Sequence, residues 1–200
     1  MWMGGISLKF EVQSFSKRTP SEKFLVRKLK WILFTAIYAL TINSLLSQEI
    51  KTVQIGNQVW MAENLDIKSK DSYCYKNLAE NCKTFGRLYS WEKALRICPQ
   101  GFRLPTDEDW TILADSLGGL DLAGFKLMMG GETKFNVLMG GNYNKTSNIF
   151  SYQFRNAYVW TATPFSETAA WMRQFSTEQA NINRSTVKKS YYFSVRCIKE

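Results

Sequence analysis

Alternating apolar and polar residues near position 55 predict a β-hairpin. Residues 53–55 and 58–61 have the period of two that is typical of half-buried strands. Gly56-Asn57 lies between them and suits a two-residue hairpin turn. We therefore expect two antiparallel strands at the start of a folded domain.

Apolar residues recur at helical spacing in two later segments. In the first, Pro99 ends a stripe that is formed by Leu88, Trp91, Leu95 and Cys98. In the second, Thr106 and Asp109 match a capping box, and the apolar face after it is formed by Trp110, Leu113, Ala114 and Leu117. We predict one helix from each pattern. The acidic run 107–109 suits the first turn of the second helix because of the helix dipole; the alternatives are that these residues ligate a cation or act as paired carboxylates.

Periodicity then disappears between Gly118 and Tyr158, where seven of the twelve glycines lie. We expect this segment to form loops packed on a core, of the kind that often carries function. Three strand-like runs close the chain, at residues 158–163, 169–175 and 191–198. The last run places four residues on one face: Tyr191, Phe193, Val195 and Cys197.

Charge is unevenly distributed along the 200 residues. Lys and Arg number 26 against 17 Asp and Glu, which gives a net charge of +9, and residues 1–47 alone carry +5 of it. The remainder has no clustered basic face, which argues against a nucleic-acid partner. Histidine is absent, so the commonest general base near neutral pH and the commonest metal ligand are missing.

The N-terminal segment predicts export. A basic stretch at residues 27–30 and an apolar run at 31–46 have the order of a secretory signal peptide, with cleavage after Ser47. Residues 48–200 then form a single mature domain with no membrane span. The alternative is a retained anchor, for which this interrupted run is short against a hydrocarbon core of about 30 Å. Because residues 1–24 place the apolar run unusually far from Met1, we expect translation to start near Leu25 or Val26 instead.

Four cysteines in an exported chain predict two disulfides, with three connectivities open. Cys98 belongs to an apolar helix stripe and Cys197 to an apolar strand face, so we expect both side chains to point toward the core. This favours a Cys98–Cys197 bridge and leaves Cys74 and Cys82 for the second one. The chain has no C-x-x-C motif, which argues against a thiol enzyme or a zinc site.

An ordered set of short motifs that spans residues 52–199 resembles a known family. The motifs are Gly56–Leu65, Tyr73–Tyr75, Gly86–Trp91, Cys98–Thr106, Gly140-Gly141 and Phe193–Cys197. In this order they resemble the Fibrobacter succinogenes major paralogous domain. The resemblance implies an exported protein of Bacteroidetes- or Fibrobacteres-type bacteria with an α+β, C-type-lectin-like fold. That fold has two helices packed on small antiparallel sheets, a long glycine-rich loop region and a disulfide that closes the domain. It implies no settled biochemical activity.

The chain departs from the pattern of that family at two places. Met139 stands where proline is usual, and residues 159–163 replace a Trp-Trp-Ser-Ser-Thr-like run. Calcium-dependent sugar binding in C-type lectins uses a Glu-Pro-Asn or Gln-Pro-Asp loop and a Trp-Asn-Asp strand, because calcium takes oxygen ligands. The long loop here has no proline, and Trp160 is followed by Thr161. We therefore expect no metal, no cofactor and calcium-independent binding.

Aromatic and amide side chains are the candidate ligand-binding residues. Asn142, Tyr143 and Asn144 form the best exposed cluster, since amides suit sugar hydroxyls and an aromatic face suits a sugar ring. An ordinary loop is the alternative. Trp171 is a second candidate, and a core position is its alternative.

We predict a secreted or surface-exposed, non-catalytic binding module for polysaccharide or protein, in the extracellular space, at the cell surface or in the periplasm. The alternative is a structural component of an exported surface assembly. No catalytic constellation supports an enzyme; Glu63, Asp66 and Glu132 are candidates only because nothing else explains them. Arg196 lies on the strand face opposite Cys197, and we expect it in a structural ion pair.

Overall fold

The computed structural model describes residues 50–128 and 130–200, together with five residues in the N-terminal segment: Lys28, Lys30, Trp31, Leu33 and Phe34. The chain divides into two compact units, residues 1–49 and 50–200. The predicted signal peptide, its cleavage site and the alternative translation start lie outside the described residues, apart from those five. No helix among the described residues has the length and apolarity needed to cross a bilayer.

The described part of residues 50–200 is an α+β unit with two disulfides. Its helices are α1 (Ala79–Phe85), α2 (Trp91–Ile97), α3 (Asp107–Asp115) and α4 (Leu120–Leu127), preceded by a 3-10 turn at Tyr75–Asn77. Its strands are β1 (Thr52–Ile55), β2 (Gln58–Met61), β3 (Ser72–Tyr73), β4 (Leu88–Tyr89), β5 (Phe102–Arg103), β6 (Asn142–Asn144), β7 (Ile149–Ser151), β8 (Asn156–Pro164), β9 (Ala169–Ser176), β10 (Gln179–Lys188), β11 (Tyr191–Ser194) and β12 (Ile198–Lys199).

The strands form two sheets of unequal size. The smaller one has the order β1-β2-β12-β5 and is antiparallel throughout. The larger one has the order β10-β9-β8-β11-β4-β3, and β6 and β7 extend it from β11. In the larger sheet β8 and β11 pair in parallel, at Val159 and Ser194. The expectation of two helices on small antiparallel sheets is therefore too modest, because the described part of residues 50–200 holds four α-helices and a larger sheet of eight strands.

The predicted hairpin is confirmed. β1 and β2 pair antiparallel with Ile55 opposite Gln58, and the two-residue turn between them places Gly56 at a φ of 56°. A residue with a side chain rarely adopts this left-handed conformation, whereas glycine does so without steric cost. The hairpin is therefore specified locally by the turn residues and by the alternation on either side.

The first predicted helix is shorter than its apolar stripe. Ser90 caps α2 by accepting a hydrogen bond from the backbone N–H of Lys93. Leu88 lies before this cap, in β4, where it pairs with Ser194 of β11. The predicted burial of Leu95 is wrong, because this side chain is 39% exposed. Ala94 is the fully buried residue of the helix.

The second predicted helix has the expected start. Thr106 accepts from the backbone N–H of Asp109, and the Asp109 carboxylate accepts from the backbone N–H of Thr106 at 2.7 Å, which completes the capping box. Asp109 also accepts two hydrogen bonds from Arg103, at 2.6 and 3.0 Å. Asp107 is held differently, because it pairs with Arg173 and Arg184 from the larger sheet.

The glycine-rich segment contains more regular structure than expected. It includes α4, β6 and β7, so the expectation of loops throughout residues 118–158 is wrong. Gly124 lowers the helix propensity of this segment, which is why α4 was not predicted, but its lack of a side chain allows α4 to pack against β10. A Cβ at this position would overlap the backbone oxygen of Ala180, so α4 approaches β10 as closely as only glycine permits.

The end of the chain is also more extensively paired than the pattern indicated. β8 and β9 match the first two predicted strands, but β10 was not predicted because its residues are mostly polar. The third predicted strand is divided into β11 and β12. Residues 192–198 are buried on both sides, since Phe193 and Val195 alternate with the equally buried Tyr192 and Arg196.

Both predicted disulfides are present. Cys98, at the end of α2, is bonded to Cys197 in the C-terminal segment, and the bridge joins positions 99 residues apart. Cys74 and Cys82 close a short loop around the 3-10 turn and the start of α1. Of the two tryptophans that the helix stripes placed inside, Trp110 is fully buried and Trp91 is 8% exposed; Trp60 and Trp160, which lie in strands, are also fully buried.

Candidate functional site

The predicted cluster of Asn142, Tyr143 and Asn144 lies in β6 and not on an exposed loop. Asn142 and Tyr143 are each only 5% exposed. The Tyr143 ring stacks on Phe150 at 4.4 Å, and its hydroxyl donates to the Asn148 side-chain oxygen at 3.0 Å. The expected exposure of this cluster is therefore wrong, because pairing of β6 with β7 and β11 turns Tyr143 into an aromatic core.

Trp171, the other predicted candidate, is half-buried in β9 and its ring is already occupied. The guanidinium of Arg184 lies 3.5 Å from the centre of the Trp171 ring, and Phe165 contacts the ring edge-on at 5.5 Å. Arg184 also donates to Asp107 at 2.8 Å, and the buried Arg173 pairs with the same carboxylate at 2.9 Å. Trp171 therefore belongs to a stack that joins β9, β10 and α3.

The three carboxylates that lacked an explanation each form an ion pair. The pairs are Lys51–Glu63, Arg87–Asp66 and Lys126–Glu132. Across the part of the chain that the structure describes, no three or more His, Cys, Asp or Glu side chains are grouped so that they could hold a metal ion.

Arg196 is buried without the ion pair expected from sequence. Its guanidinium donates to the Asn64 side-chain oxygen at 2.7 Å and to the backbone oxygens of Met61, Phe135 and Asn136 at 3.1, 2.5 and 3.0 Å. Among the described residues no carboxylate lies in salt-bridge range of it. These hydrogen bonds compensate the buried guanidinium inside the core, and the Arg196 side chain is not exposed to a ligand.

A different set of polar and aromatic side chains lies together on one face of the larger sheet. In the register of β8, β9 and β10, Tyr158 lies opposite Gln174, and Gln174 lies opposite Asn183. Directly opposed residues of antiparallel strands project to the same side. Asn156 projects to that side as well, because it precedes Tyr158 by two positions.

Two more tyrosines complete this set. Tyr191 shares a strand face with Phe193, because the two are two positions apart, and the Phe193 ring stacks on Tyr158 at 5.2 Å. The Tyr152 ring lies 6.2 Å from the Tyr158 ring. We name the six residues the tyrosine–amide face: Tyr152, Asn156, Tyr158, Gln174, Asn183 and Tyr191. Asn183 and Tyr152 are exposed, Tyr158 is buried, and the other three are half-buried.

The hydrogen bonds within the tyrosine–amide face leave donors and acceptors free. Asn156 donates to the Tyr158 hydroxyl at 2.9 Å, so the proton of this hydroxyl remains available. Asn183 donates to the side-chain oxygen of Gln174 at 3.3 Å. The Gln174 amide nitrogen and the Asn183 amide oxygen then have no partner within the described residues, and both can meet the hydroxyls of a ligand.

The electrostatics keep this face neutral. Burial raises the pKa of Tyr158, and the neighbouring Tyr152 and Tyr191 raise it further, while the hydrogen bond from Asn156 opposes the shift. Tyr158 therefore stays protonated at every physiological pH. A protonated phenol is both a donor and an acceptor, which is the capacity that a hydroxyl-rich ligand requires.

One end of the face is covered and the other is open. Trp160, two positions after Tyr158, is fully buried and packs in the same core as Trp91 and Ala94 of α2. The Trp91 indole nitrogen donates to the backbone oxygen of Thr161 at 2.9 Å, which fixes α2 over that end. The opposite end leads to the loop at residues 152–155, which we name the rim loop.

Most residues of the tyrosine–amide face could not be predicted from patterns in the sequence. Asn156 and Tyr158 carry polar groups and alternate with the apolar Ala157 and Val159, and this alternation was the one available signal. Gln174 and Asn183 join them only through strand register, and β10 had no strand-like pattern. The residues that the sequence proposed as a ligand site and the residues that the sheet assembles are therefore different.

Comparison with known proteins places the unit in a family. Residues 53–199 match the family model described as Fibrobacter succinogenes major domain. No curated protein and no solved structure matches the chain. The matched range includes both disulfides and every residue of the tyrosine–amide face.

Proposed function

The chain belongs to the Fibrobacter succinogenes major domain family, and for this member we propose an exported, non-catalytic module that binds polysaccharide without calcium. One observation carries the proposal: the tyrosine–amide face brings three tyrosines and three amides together on one side of the larger sheet and its rim loop, with Tyr152 and Asn183 exposed and the Tyr158 ring buried beneath them. Polysaccharides present sugar rings with apolar C–H faces and hydroxyls along their edges. Aromatic rings and unpaired amide groups complement these two features.

The proposal includes export and a C-type-lectin-like fold. Two disulfides indicate an oxidising, extracellular environment. The lectin-like fold is supported by two sheets, by α2 and α3, and by the Cys98–Cys197 bridge, which ties the C-terminal segment to the end of α2. The additional helices and strands then belong to the connections between these shared elements.

Binding to soluble polysaccharides tests the function. The oxidised protein is titrated calorimetrically with a mixed panel of plant and bacterial polysaccharides, once with calcium and once with EDTA. We expect saturable binding that EDTA leaves unchanged. Gln174→Ala and Asn183→Ala should each weaken it roughly threefold to tenfold, because each removes one hydrogen-bonding side chain. Gln100→Ala, an exposed glutamine outside the face, is the matched control and should bind like the parent protein.

Two results would contradict the proposal. Absence of binding to every polysaccharide would exclude the function, provided that circular dichroism shows a folded protein. Binding that EDTA abolishes would show that a metal ion participates and would overturn the calcium-independent mechanism.

Exposed apolar side chains favour a second candidate, a structural role in an exported assembly. Ile112 of α3 is 46% exposed, and Leu122 and Phe125 of α4 are 58% and 50% exposed. Apolar side chains left in water on neighbouring helices are typical of protein contacts. Sedimentation velocity over a range of concentrations would show association that Leu122→Glu abolishes, whereas a polysaccharide-binding module would sediment as one species and Leu122→Glu would leave its titrations unchanged.

A further inference from the structure

The charges around the tyrosine–amide face are already neutralised or engaged. Its six side chains are uncharged, and the cations in the flanking loops have partners. Arg155, at the end of the rim loop, pairs with Glu178 at 3.5 Å. Lys189, in the turn between β10 and β11, donates to the backbone oxygen of Glu167 at 2.9 Å and lies 4.1 Å from the Trp91 ring centre. Among the described residues of these loops, both cations therefore have a partner within the unit, and the Arg155–Glu178 pair is exposed to solvent.

The rim loop presents two aromatic rings in an unusual backbone conformation. Tyr152 and Phe154 are 53% and 69% exposed, although large apolar side chains are normally buried. Both have left-handed backbones, with φ of 65° and 67°, a conformation that is an outlier for bulky residues. Such outliers persist only where the surrounding structure enforces them, and they concentrate at functional sites.

Contacts with the rest of the unit enforce this conformation. The backbone N–H of Phe154 donates to the backbone oxygen of Met139 at 2.8 Å, and the Gln153 amide donates to the Asn81 side-chain oxygen of α1 at 2.9 Å. The Phe154 ring also meets Phe85 of α1 edge-on at 5.4 Å. The two rings are thus presented on a braced loop, and their α-carbons are separated by at most about 7 Å, because one residue lies between them.

We infer that the ligand of the tyrosine–amide face is an uncharged polysaccharide chain that contacts both rim-loop rings, with one sugar unit on Tyr152 and a further unit on Phe154. This inference rests on the proposed polysaccharide-binding function and adds the chemical class and the minimum length of the ligand. The amides of Gln174 and Asn183 hold hydroxyls of the unit on Tyr152. Phe154 is not one of the six residues of the face, so its exposed ring adds a contact for the next sugar unit of the same chain.

Titration of the oxidised protein with ligands of defined charge and length tests the inference. The probes are a soluble neutral β-glucan, a neutral xylan, dextran, polygalacturonate and heparin, each at about 50 mM and about 500 mM NaCl, a range over which screening changes strongly. We expect binding to at least one neutral polysaccharide, with an affinity that salt changes less than about twofold, and no binding to the two polyanions. Salt insensitivity is expected because screening acts on charges and not on stacking or neutral hydrogen bonds. Oligosaccharides of the bound polymer should bind about tenfold more tightly than its monosaccharide.

Variants separate the two rings from the loop that carries them. Tyr152→Asn and Phe154→Asn should each weaken binding of the chain about tenfold, the effect of losing one ring contact. Asparagine tolerates the left-handed backbone, so the loop keeps its conformation while the ring is lost. Tyr152→Phe keeps the ring and should bind within about threefold of the parent. Lys134→Asn is the matched control, because Lys134 is exposed and has a left-handed backbone outside the rim loop, and this substitution should not change the affinity.

The outcomes distinguish this inference from the proposed function. Salt-sensitive binding to polygalacturonate or heparin would leave polysaccharide binding intact but overturn the neutral ligand. Equal affinities for the monosaccharide and its oligosaccharides, or full binding by Phe154→Asn, would overturn the two-ring contact. Failure to bind any of the five probes or any polysaccharide of the wider panel would remove the proposed function and this inference together. The length series uses the parent protein alone and therefore does not depend on the folding of any variant.

Discussion

Arg196 donates two hydrogen bonds to one side-chain oxygen of Asn64, from Nε at 3.2 Å and from Nη2 at 2.7 Å, across 132 positions of sequence. Arg196 is 1% exposed, and its remaining contacts are backbone oxygens and the Phe135 ring, 4.6 Å away. Burial lowers the pKa of Arg196 to about 9, which still leaves it protonated at neutral pH. The unit therefore holds a buried cation that neutral groups, and not a carboxylate, compensate.

Asn64→Ala should destabilise the protein by about 3 kcal/mol. The substitution removes the acceptor of two Arg196 hydrogen bonds and leaves the charge buried without equivalent compensation. Urea denaturation followed by tryptophan fluorescence measures the free energy of unfolding. Gln100→Ala, on the surface, is the control and should change it by less than about 0.5 kcal/mol. An Asn64→Ala value as small as that of the control would show that Arg196 does not depend on Asn64.

Asp109→Asn should cost stability at neutral pH and much less in acid. Burial alone would raise the pKa of Asp109, but hydrogen bonds from Arg103 and Thr106 outweigh it and lower the pKa below the ordinary value of 3.8. The unfolded chain therefore takes up this proton first as pH falls. The stabilisation is complete above pH 3.8 and is lost as pH falls through the folded-state pKa.

We expect Asp109→Asn to lower the free energy of unfolding by about 1–3 kcal/mol at pH 7 and by less at about pH 2. Denaturant titrations at both pH values measure the difference. Glu108→Gln, an exposed acid in the same helical turn, is the control and should have a small effect at either pH. A difference for Asp109→Asn that stays constant with pH would contradict the role of the ionised carboxylate.

The two disulfides should contribute unequally to stability. In the loop-entropy description, the Cys98–Cys197 bridge, which spans 99 positions, contributes about 4–5 kcal/mol, and the Cys74–Cys82 bridge, which spans 8, about 2–3 kcal/mol. Each pair is replaced by alanine, and the free energies of unfolding are compared. Equal losses, or a larger loss from the short loop, would show that contacts in the native state matter more than loop length.

Tyr143→Ala should affect folding and not ligand binding. Its ring lies in an aromatic core, so truncation should destabilise the protein by about 3–5 kcal/mol. Tyr143→Phe removes only the hydroxyl that bonds Asn148 and should cost about 1 kcal/mol. Polysaccharide titration of Tyr143→Phe should match the parent. Loss of binding in this well-folded variant would return the ligand site to β6.

Local patterns in the sequence were sufficient for the hairpin turn at Gly56-Asn57 and for the capping box of Thr106 and Asp109. Both depend on residues within a few positions of one another, so the information that specifies them is contiguous. The Cys98–Cys197 bridge was also predicted, because each cysteine occupies an apolar position of its own element. The helix α4 was not predicted, since Gly124 lowers its helix propensity. Glycine is required there by the close backbone of Ala180 in β10, which lies far along the chain.

The sequence by itself therefore determined the local turns and the helix cap, favoured one disulfide pairing among three, and indicated the membership in a family. Only the tertiary structure decided which polar and aromatic side chains meet on the tyrosine–amide face. Tyr143 was placed in the core by strands on both sides of it, and Tyr158, Gln174 and Asn183 were brought side by side by the register of three strands. Register is set by the burial of whole strand faces, and a slip of one residue would send every one of these side chains to the opposite side of the sheet.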